Sequence, residues 1–305
     1  MSRKTRDFRD VDGILLLNKP RGLSSNQALQ RARFLYRARK AGHCGSLDPL
    51  ATGVLPVCFG QATRFSGYLL GAGKAYRASC RLGQTTASGD AEGEVLQTRE
   101  VDVDAAQVET VLARFRGPIE QVPPMYSALR HEGKRLYQLA REGQSVDRPS
   151  RPVTIYRLEL LDLEAGRLDI DVACSKGTYI RTLAEDIGAA LGCGAHLASL
   201  HRYRVEDFVE DDAHGLDELE TLQHDDPEQL DRLLLPVDAT LARFPELELD
   251  ADRSRDMRHG KAVFVDPPGP PGLYRIRACE GVFLGLGELA ENGQLKAKRL
   301  MNTAR

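Results

Sequence analysis

In the stretch GHCGSLDPLATGVLP, residues 42–56, one carboxylate, Asp48, stands between a leucine and a proline among small and apolar residues. A lone acid in such surroundings needs either a paired cation or a chemical task. Pro49 biases Asp48 toward extended backbone, and Gly42, Gly45 and Gly53 permit tight turns or the close approach of another chain segment. A loop of this kind can present a carboxylate to a cleft as nucleophile or base. It can equally be an ordinary Asp-Pro turn, and residue type alone leaves both readings open. Glycoside hydrolysis would need a second carboxyl close to the first, and the stretch has none. His43 has no second histidine or cysteine at ligand spacing, and the six cysteines, at 44, 58, 80, 174, 193 and 279, include no CxxC pair. Chemistry without a metal, and reduced thiols of the kind cytoplasmic proteins keep, are the expectation.

The surrounding elements must hold that loop. VDGILLLNKP (11–20) predicts a buried strand ended by a Lys-Pro turn. SSNQALQRARFLYRARKAG (24–42) predicts a helix from a serine cap to a glycine stop, on which Arg33, Arg37 and Lys40 would share one positive face at i, i+4 and i+7. Strands are expected at 76–83, 153–164 and 168–175, and amphipathic helices at 103–117 and 179–192. Their order lacks a doubly wound rhythm, which predicts an α+β fold with a mixed sheet carrying helices. The stretch 123–152, proline-flanked, basic and carrying Tyr126 and Tyr137, reads as a mobile excursion from the sheet. From about 247 onward, AVFV, LYRIRA and VFLGLGEL suggest the short strands of a small barrel.

With 305 residues, 42% of them hydrophobic, the chain can bury a large core. It has no apolar run of membrane-spanning length, and MSRKTRDFRD lacks the apolar stretch of a signal peptide, so a cytoplasmic protein without membrane contact is expected. A net charge of -2 hides an uneven distribution: residues 1–45 carry eleven Lys or Arg against three Asp, whereas 206–231 carry twelve acids and no Lys or Arg. The chain outside the acidic segment is therefore basic enough for a polyanionic partner, although both runs could simply be solvated faces.

Four segments carry a closer likeness. GHCGSLDPLATGVLPVCFGQATR (42–64), KAYRASCRLGQTTASGDAEGEV (74–95), PPMYSALRHEGKRLYQLAREG (123–143) and CSKGTYIRTLAEDIGAALGCGAHLASLHR (174–202) resemble, in order, the successive motifs of the bacterial TruB family. Members of that family are tRNA pseudouridine synthases acting on the T-loop uridine at position 55. The likeness runs from about 11 to 208, and the tail from about 247 is similar to the PUA RNA-binding module.

The resemblance implies a largely antiparallel central sheet flanked by helices in a catalytic domain at 1–246, and a PUA-like β-barrel at 247–305. It implies catalysis without a cofactor. Asp48 becomes the nucleophile, toward C1′ or C6 of the uridine, and Arg181 the cation paired with it. Tyr76 would lie against the everted uracil and is a candidate for handling the C5 proton. By residue type alone, Arg181 reads as a surface helix cation and Tyr76 as strand packing. The resemblance further implies that Tyr179 and Leu200 line the uridine pocket, that His43 fills the space the base leaves, and that Lys19 and Pro20 form a turn close to the site. Asp90 falls in another recurrent motif and receives no chemical step.

Arg33, Arg37 and Lys40, with Arg130, Lys134, Arg135, Arg141, Arg148 and Arg151 of the excursion, are candidate phosphate contacts for the T-loop and stem of tRNA. No obligate protein partner is implied, and a monomer is expected. Cys44, Ser46, Ala87, Ser88 and His201 depart from the residues usual in the family, which touches local hydrogen bonds and one phosphate contact rather than the nucleophile.

Overall fold

The computed structural model describes residues 8–127, 129–266 and 269–302. Its centre is a ten-stranded mixed sheet whose main path runs His214–Gly215, Gly13–Lys19, Thr52–Phe59, Ala195–Val205, Lys74–Leu82, Arg167–Cys174, Arg151–Glu164 and Gly117–Gln121. Two of the seven contacts along that path are parallel and the others antiparallel. The expected α+β class and largely antiparallel sheet are therefore present. The Gly13–Lys19 strand has a nearly continuous buried run, as a strand covered on both faces must. No described helix is long and apolar enough to cross a membrane.

One parallel contact depends on a single glycine. Gly53 opposes Arg202 where the Thr52–Phe59 and Ala195–Val205 strands meet. A Cβ on Gly53 would lie 2.2 Å from the Arg202 carbonyl oxygen, and its φ of +101° disfavours any other residue. Gly53→Ala is expected to destabilise the fold by roughly 2–4 kcal/mol, from overpacking plus backbone strain. A thermal melt within 1 °C of the parent's would contradict this.

The helix after the first strand spans Ser25–Leu35. Ser24 caps it, with Gln27 completing a capping box, and Ala28, Leu29, Ala32 and Leu35 face the core. It stops seven residues short of the glycine that the sequence offers as its end. The stop is made by tertiary packing. Tyr36 is fully buried, its ring centroid 4.9 Å from that of Phe59, with its hydroxyl donating to the Leu230 carbonyl at 2.8 Å. Arg37 then takes a left-handed φ of +51°. The Arg33 guanidinium donates to the carbonyls of Ala38 and Arg39, each at 3.0 Å, which fixes the turn. Arg37 and Lys40 therefore lie off the helix, and the expected continuous basic face with Arg33 does not exist.

The acidic segment is part of the fold. Leu216, Leu219 and Leu230 pack with Ala28, Leu29 and Ala32 in one core cluster. Asp231 pairs with Arg9 at 2.5 Å, Glu210 with Arg77 at 3.0 Å and Glu206 with Arg243 at 3.3 Å. Several of the acids thus answer basic residues of the same chain.

The 123–152 stretch holds a short hairpin, Arg130–His131 with Lys134–Arg135, and a helix, Leu136–Arg141, whose Leu136 and Leu139 are buried. Arg130, Lys134, Arg135, Arg141 and Arg151 stay exposed, whereas Arg148 donates to the Pro123 carbonyl at 3.1 Å. Tyr137 sits under the Arg141 guanidinium, 5.6 Å from ring centroid to carbon.

Beyond residue 245, strands Glu246–Leu249, Gly272–Ala278, Phe283–Leu289, Gln294–Leu300 and Val263–Phe264 form a half-barrel in that order, packed by the helix Ala251–Arg258 around Met257, Ile276 and Leu295. It joins the main body through Phe65, Leu241 and Leu286, and through Asp238, which accepts from Arg277 at 2.6 Å.

Candidate active site

The backbone around Asp48 is braced from three sides. Its carbonyl accepts from Ala51 N–H at 3.0 Å, closing a turn with Pro49 at the position proline favours. Ser25, the first residue of the helix, grips Leu47 twice: its hydroxyl donates to the Leu47 carbonyl at 2.9 Å and accepts from the Leu47 N–H at 2.7 Å. From below, the fully buried Lys19 ammonium donates to the carbonyls of Leu23 at 2.6 Å, Pro20 at 2.9 Å and Pro49 at 3.5 Å. Burial lowers Lys19 to about 8, with Asp48 pulling the other way. Lys19 and the exposed Pro20 are therefore supports of the loop, joining the end of one strand to the start of the helix and to Pro49.

This bracing leaves the Asp48 side chain 42% exposed, with Oδ2 3.0 Å from Arg181 Nε. Arg181 is 4% exposed and lies in the first turn of the helix Ile180–Ala190. The other arms of its guanidinium are also engaged: Nη1 donates to the Ser88 carbonyl at 2.9 Å and Nη2 to the Tyr126 carbonyl at 2.6 Å. Asp90, nearly buried, places an oxygen 3.7 Å from Arg181 Nε. Burial raises the Asp48 pKa, Arg181 opposes that rise, and Asp90 adds to it. Asp48 thus has a cation that favours its ionised form, and an open side from which a reacting atom can approach.

Tyr76 and Leu200 share one buried cluster with Leu47 and Ile180, so the phenol, the leucine and the Asp48 loop pack in the same region. Burial pushes the Tyr76 phenol up to about 12, and the nearby Arg202 guanidinium pulls the other way. Tyr179 precedes the Arg181 helix and is fixed by the buried Gln121, whose side chain accepts from the Tyr179 N–H at 3.0 Å and donates to its carbonyl at 3.3 Å. His43 has its Nδ1 enclosed without a partner, and burial together with Arg202 lowers its pKa, favouring the neutral ring.

The departures are absorbed locally. Ser88 donates to Asp90 at 2.5 Å, and Cys44 packs its sulfur 3.5 Å from Cys58. His201 lies between Thr52 at 2.8 Å and Glu210 at 2.5 Å. Among the described residues no group of three or more His, Cys, Asp or Glu side chains is arranged to hold a metal.

Three side chains that brace these segments escaped the sequence reading: Ser25, Gln121 and Arg202. Only the last left a signal, an arginine at an inward position of a strand. Arg202 is fully buried, donating from Nε to the Val54 carbonyl at 2.8 Å and from Nη2 to the Gly45 carbonyl at 3.2 Å.

Family models match most of the chain, from residue 33 to residue 301. Residues 33–180 match the N-terminal domain of TruB family pseudouridylate synthase, 181–242 the C-terminal domain of tRNA pseudouridylate synthase B, and 245–301 the C-terminal part of pseudouridine synthase II TruB. A protein of Pseudomonas putida (strain GB-1) called tRNA pseudouridine synthase B is 51% identical over 99% of this chain and 100% of its own length. The chain belongs to the TruB family. A second relative of the same name, from Nitrosococcus oceani, is 51% identical over 98% of both chains. Among solved structures, a chain from an archaeal box H/ACA sRNP Nop10-Cbf5 complex shares the fold, with a TM-score of 0.73 at 24% identity over 95% of this chain and 86% of that one. The structure pairs Asp48 with Arg181, puts Tyr76 and Leu200 in the cluster that holds Leu47, and sets Tyr179 at the start of the Arg181 helix, whereas Arg33, Arg37, Lys40 and the excursion's arginines lie on separate elements.

Proposed function

We propose that this chain is a tRNA pseudouridine synthase that isomerises uridine 55 of the T-loop, with Asp48 as its nucleophile. The observation that carries the reading is a partly exposed carboxylate held 3.0 Å from a buried guanidinium, on a loop whose Leu47 packs in one cluster with a buried tyrosine. Pseudouridine formation breaks the C1′–N1 bond, turns the uracil while it stays bound, joins C1′ to C5 and moves the C5 proton away as N1 gains one. Nothing is oxidised and no group is lost, so one ionised carboxylate suffices where a hydrolase would use two acids. A base within a folded loop must first be everted. Tyr76, Tyr179 and Leu200 are the surfaces that receive it, and His43 occupies the gap it leaves.

The exposed Arg130, Lys134 and Arg141 hold the phosphates of the T-loop and stem, with Arg37 and Lys40 extending the contact beyond the helix end. The main body, about residues 1–246, carries the chemistry, and the half-barrel from about 247 is a PUA-like RNA-binding unit. The protein works as a cytoplasmic monomer without cofactor.

The test is to incubate an unmodified tRNA transcript with the purified protein and a chelator, then map pseudouridine at nucleotide resolution. Conversion at position 55 is expected. Release of free uracil, or no isomerisation at that position, would overturn the assignment.

A further inference from the structure

Arg202 is the bulkiest fully buried side chain among the described residues. A buried guanidinium is retained only where its donors are used. Two of its nitrogens bond carbonyls rather than a carboxylate, while Nη1 is enclosed with no acceptor. Those two carbonyls are far apart in function. Gly45 belongs to the nucleophile loop, three residues before Asp48, and Val54 to the strand that leaves it. Across the sheet, Arg202 pairs in register with Tyr76, so both side chains rise from the same face as direct neighbours. A Cβ on Gly45 would lie 3.7 Å from Nη1, with Lys74 at 3.4 Å on the same side. The space around the unengaged nitrogen is thus walled by the nucleophile loop, Lys74 and the tyrosine strand.

We propose that Arg202 is a positioning residue of the active site. From inside the sheet it clamps the Gly45 and Val54 carbonyls next to the strand position of Tyr76, so that carboxylate and phenol keep a fixed separation around the everted base. The inference rests on the synthase reading and deepens it. A planar fork holds two carbonyls in fixed directions at once, which a single rotating ammonium does less well. Misplacing reacting groups by about 1 Å costs on the order of 10²-fold in rate.

The experiment compares the full-length wild type, Arg202→Met and Arg202→Lys on an unmodified tRNA transcript, measuring single-turnover rate, tRNA affinity and melting temperature together. Arg202→Met is expected to lose about 100-fold in rate with tRNA affinity within about threefold of wild type, and Arg202→Lys to fall between the two. A merely structural arginine would lower melting temperature and affinity along with rate, and that pattern overturns the proposal, as does a wild-type rate in Arg202→Met. Should Arg202→Met fail to fold, Arg202→Lys decides: about a tenfold loss at unchanged affinity supports the clamp, and a wild-type rate overturns it. Wild type that forms no pseudouridine breaks the synthase reading itself, whereas an active wild type matched by an equally active variant breaks only this inference.

Discussion

Asp48→Asn is expected to lower the single-turnover rate of pseudouridine formation by at least about 10⁴-fold while leaving tRNA affinity within about threefold. The amide has nearly the shape of the carboxylate, and its oxygen can still accept from Arg181 Nε, so the loop held by Ser25 and Lys19 has no reason to move. Lost are the negative charge and the lone pair that would form the covalent bond. The proposed RNA contacts lie on other elements, chiefly the exposed cations of the 123–152 stretch, and the substitution leaves them untouched. Quenched-flow turnover and filter binding on the same preparation separate the two quantities. Retention of more than a hundredth of the wild-type rate would remove Asp48 from the nucleophile's role.

Arg181→Met has the second largest expected effect, about 10²- to 10⁴-fold in rate, and it changes the pH dependence as well. In the wild type, burial raises the Asp48 pKa and Arg181 is the largest opposing influence, while Asp90 pushes in the same direction as burial. Activity requires the ionised form, so it is present above the Asp48 pKa and lost as pH falls through it. Removing the guanidinium leaves burial and Asp90 unopposed by it, which moves that acid limb upward toward neutrality. Raising the pH should then restore part of the lost rate in the variant and little in the wild type. An acid limb that stays in place would mean that Arg181 does not govern the charge on Asp48. The variant should also melt lower, because two carboxylates lose their common cation and the carbonyls of Ser88 and Tyr126 lose their donors.

The sequence made Asp48 conspicuous because a charge among glycines and leucines violates ordinary burial preferences, and the structure supplies the reason in Arg181, 133 positions away. No local pattern links those two residues. Only the order of the motifs did, since pairing across a sheet is set by tertiary register. Lys19 illustrates the same limit: NKP is legible as a turn, but three carbonyls converging on one ammonium are not. The first helix was over-extended because its composition favours helix up to Gly42, whereas the burial of Tyr36 against Phe59 and Leu230 ends it at Leu35. In the last unit, Glu246–Leu249 and Gln294–Leu300 were missed as strands, the latter because Lys296, Lys298 and Arg299 interrupt its apolar pattern. The acidic run, which composition left open to being a solvated face, holds two helices with buried leucines, and several of its acids pair with arginines of the same chain.

One bond has a reach beyond its size. Arg181 holds Asp48 with one nitrogen and the Tyr126 carbonyl with another, and Tyr126 belongs to the stretch that carries the exposed arginines. Whatever lifts or seats that stretch alters the hydrogen bonding of the same ion that stabilises the attacking oxygen. The Asp48 loop and the 123–152 stretch, far apart along the chain, are thus mechanically joined through one guanidinium.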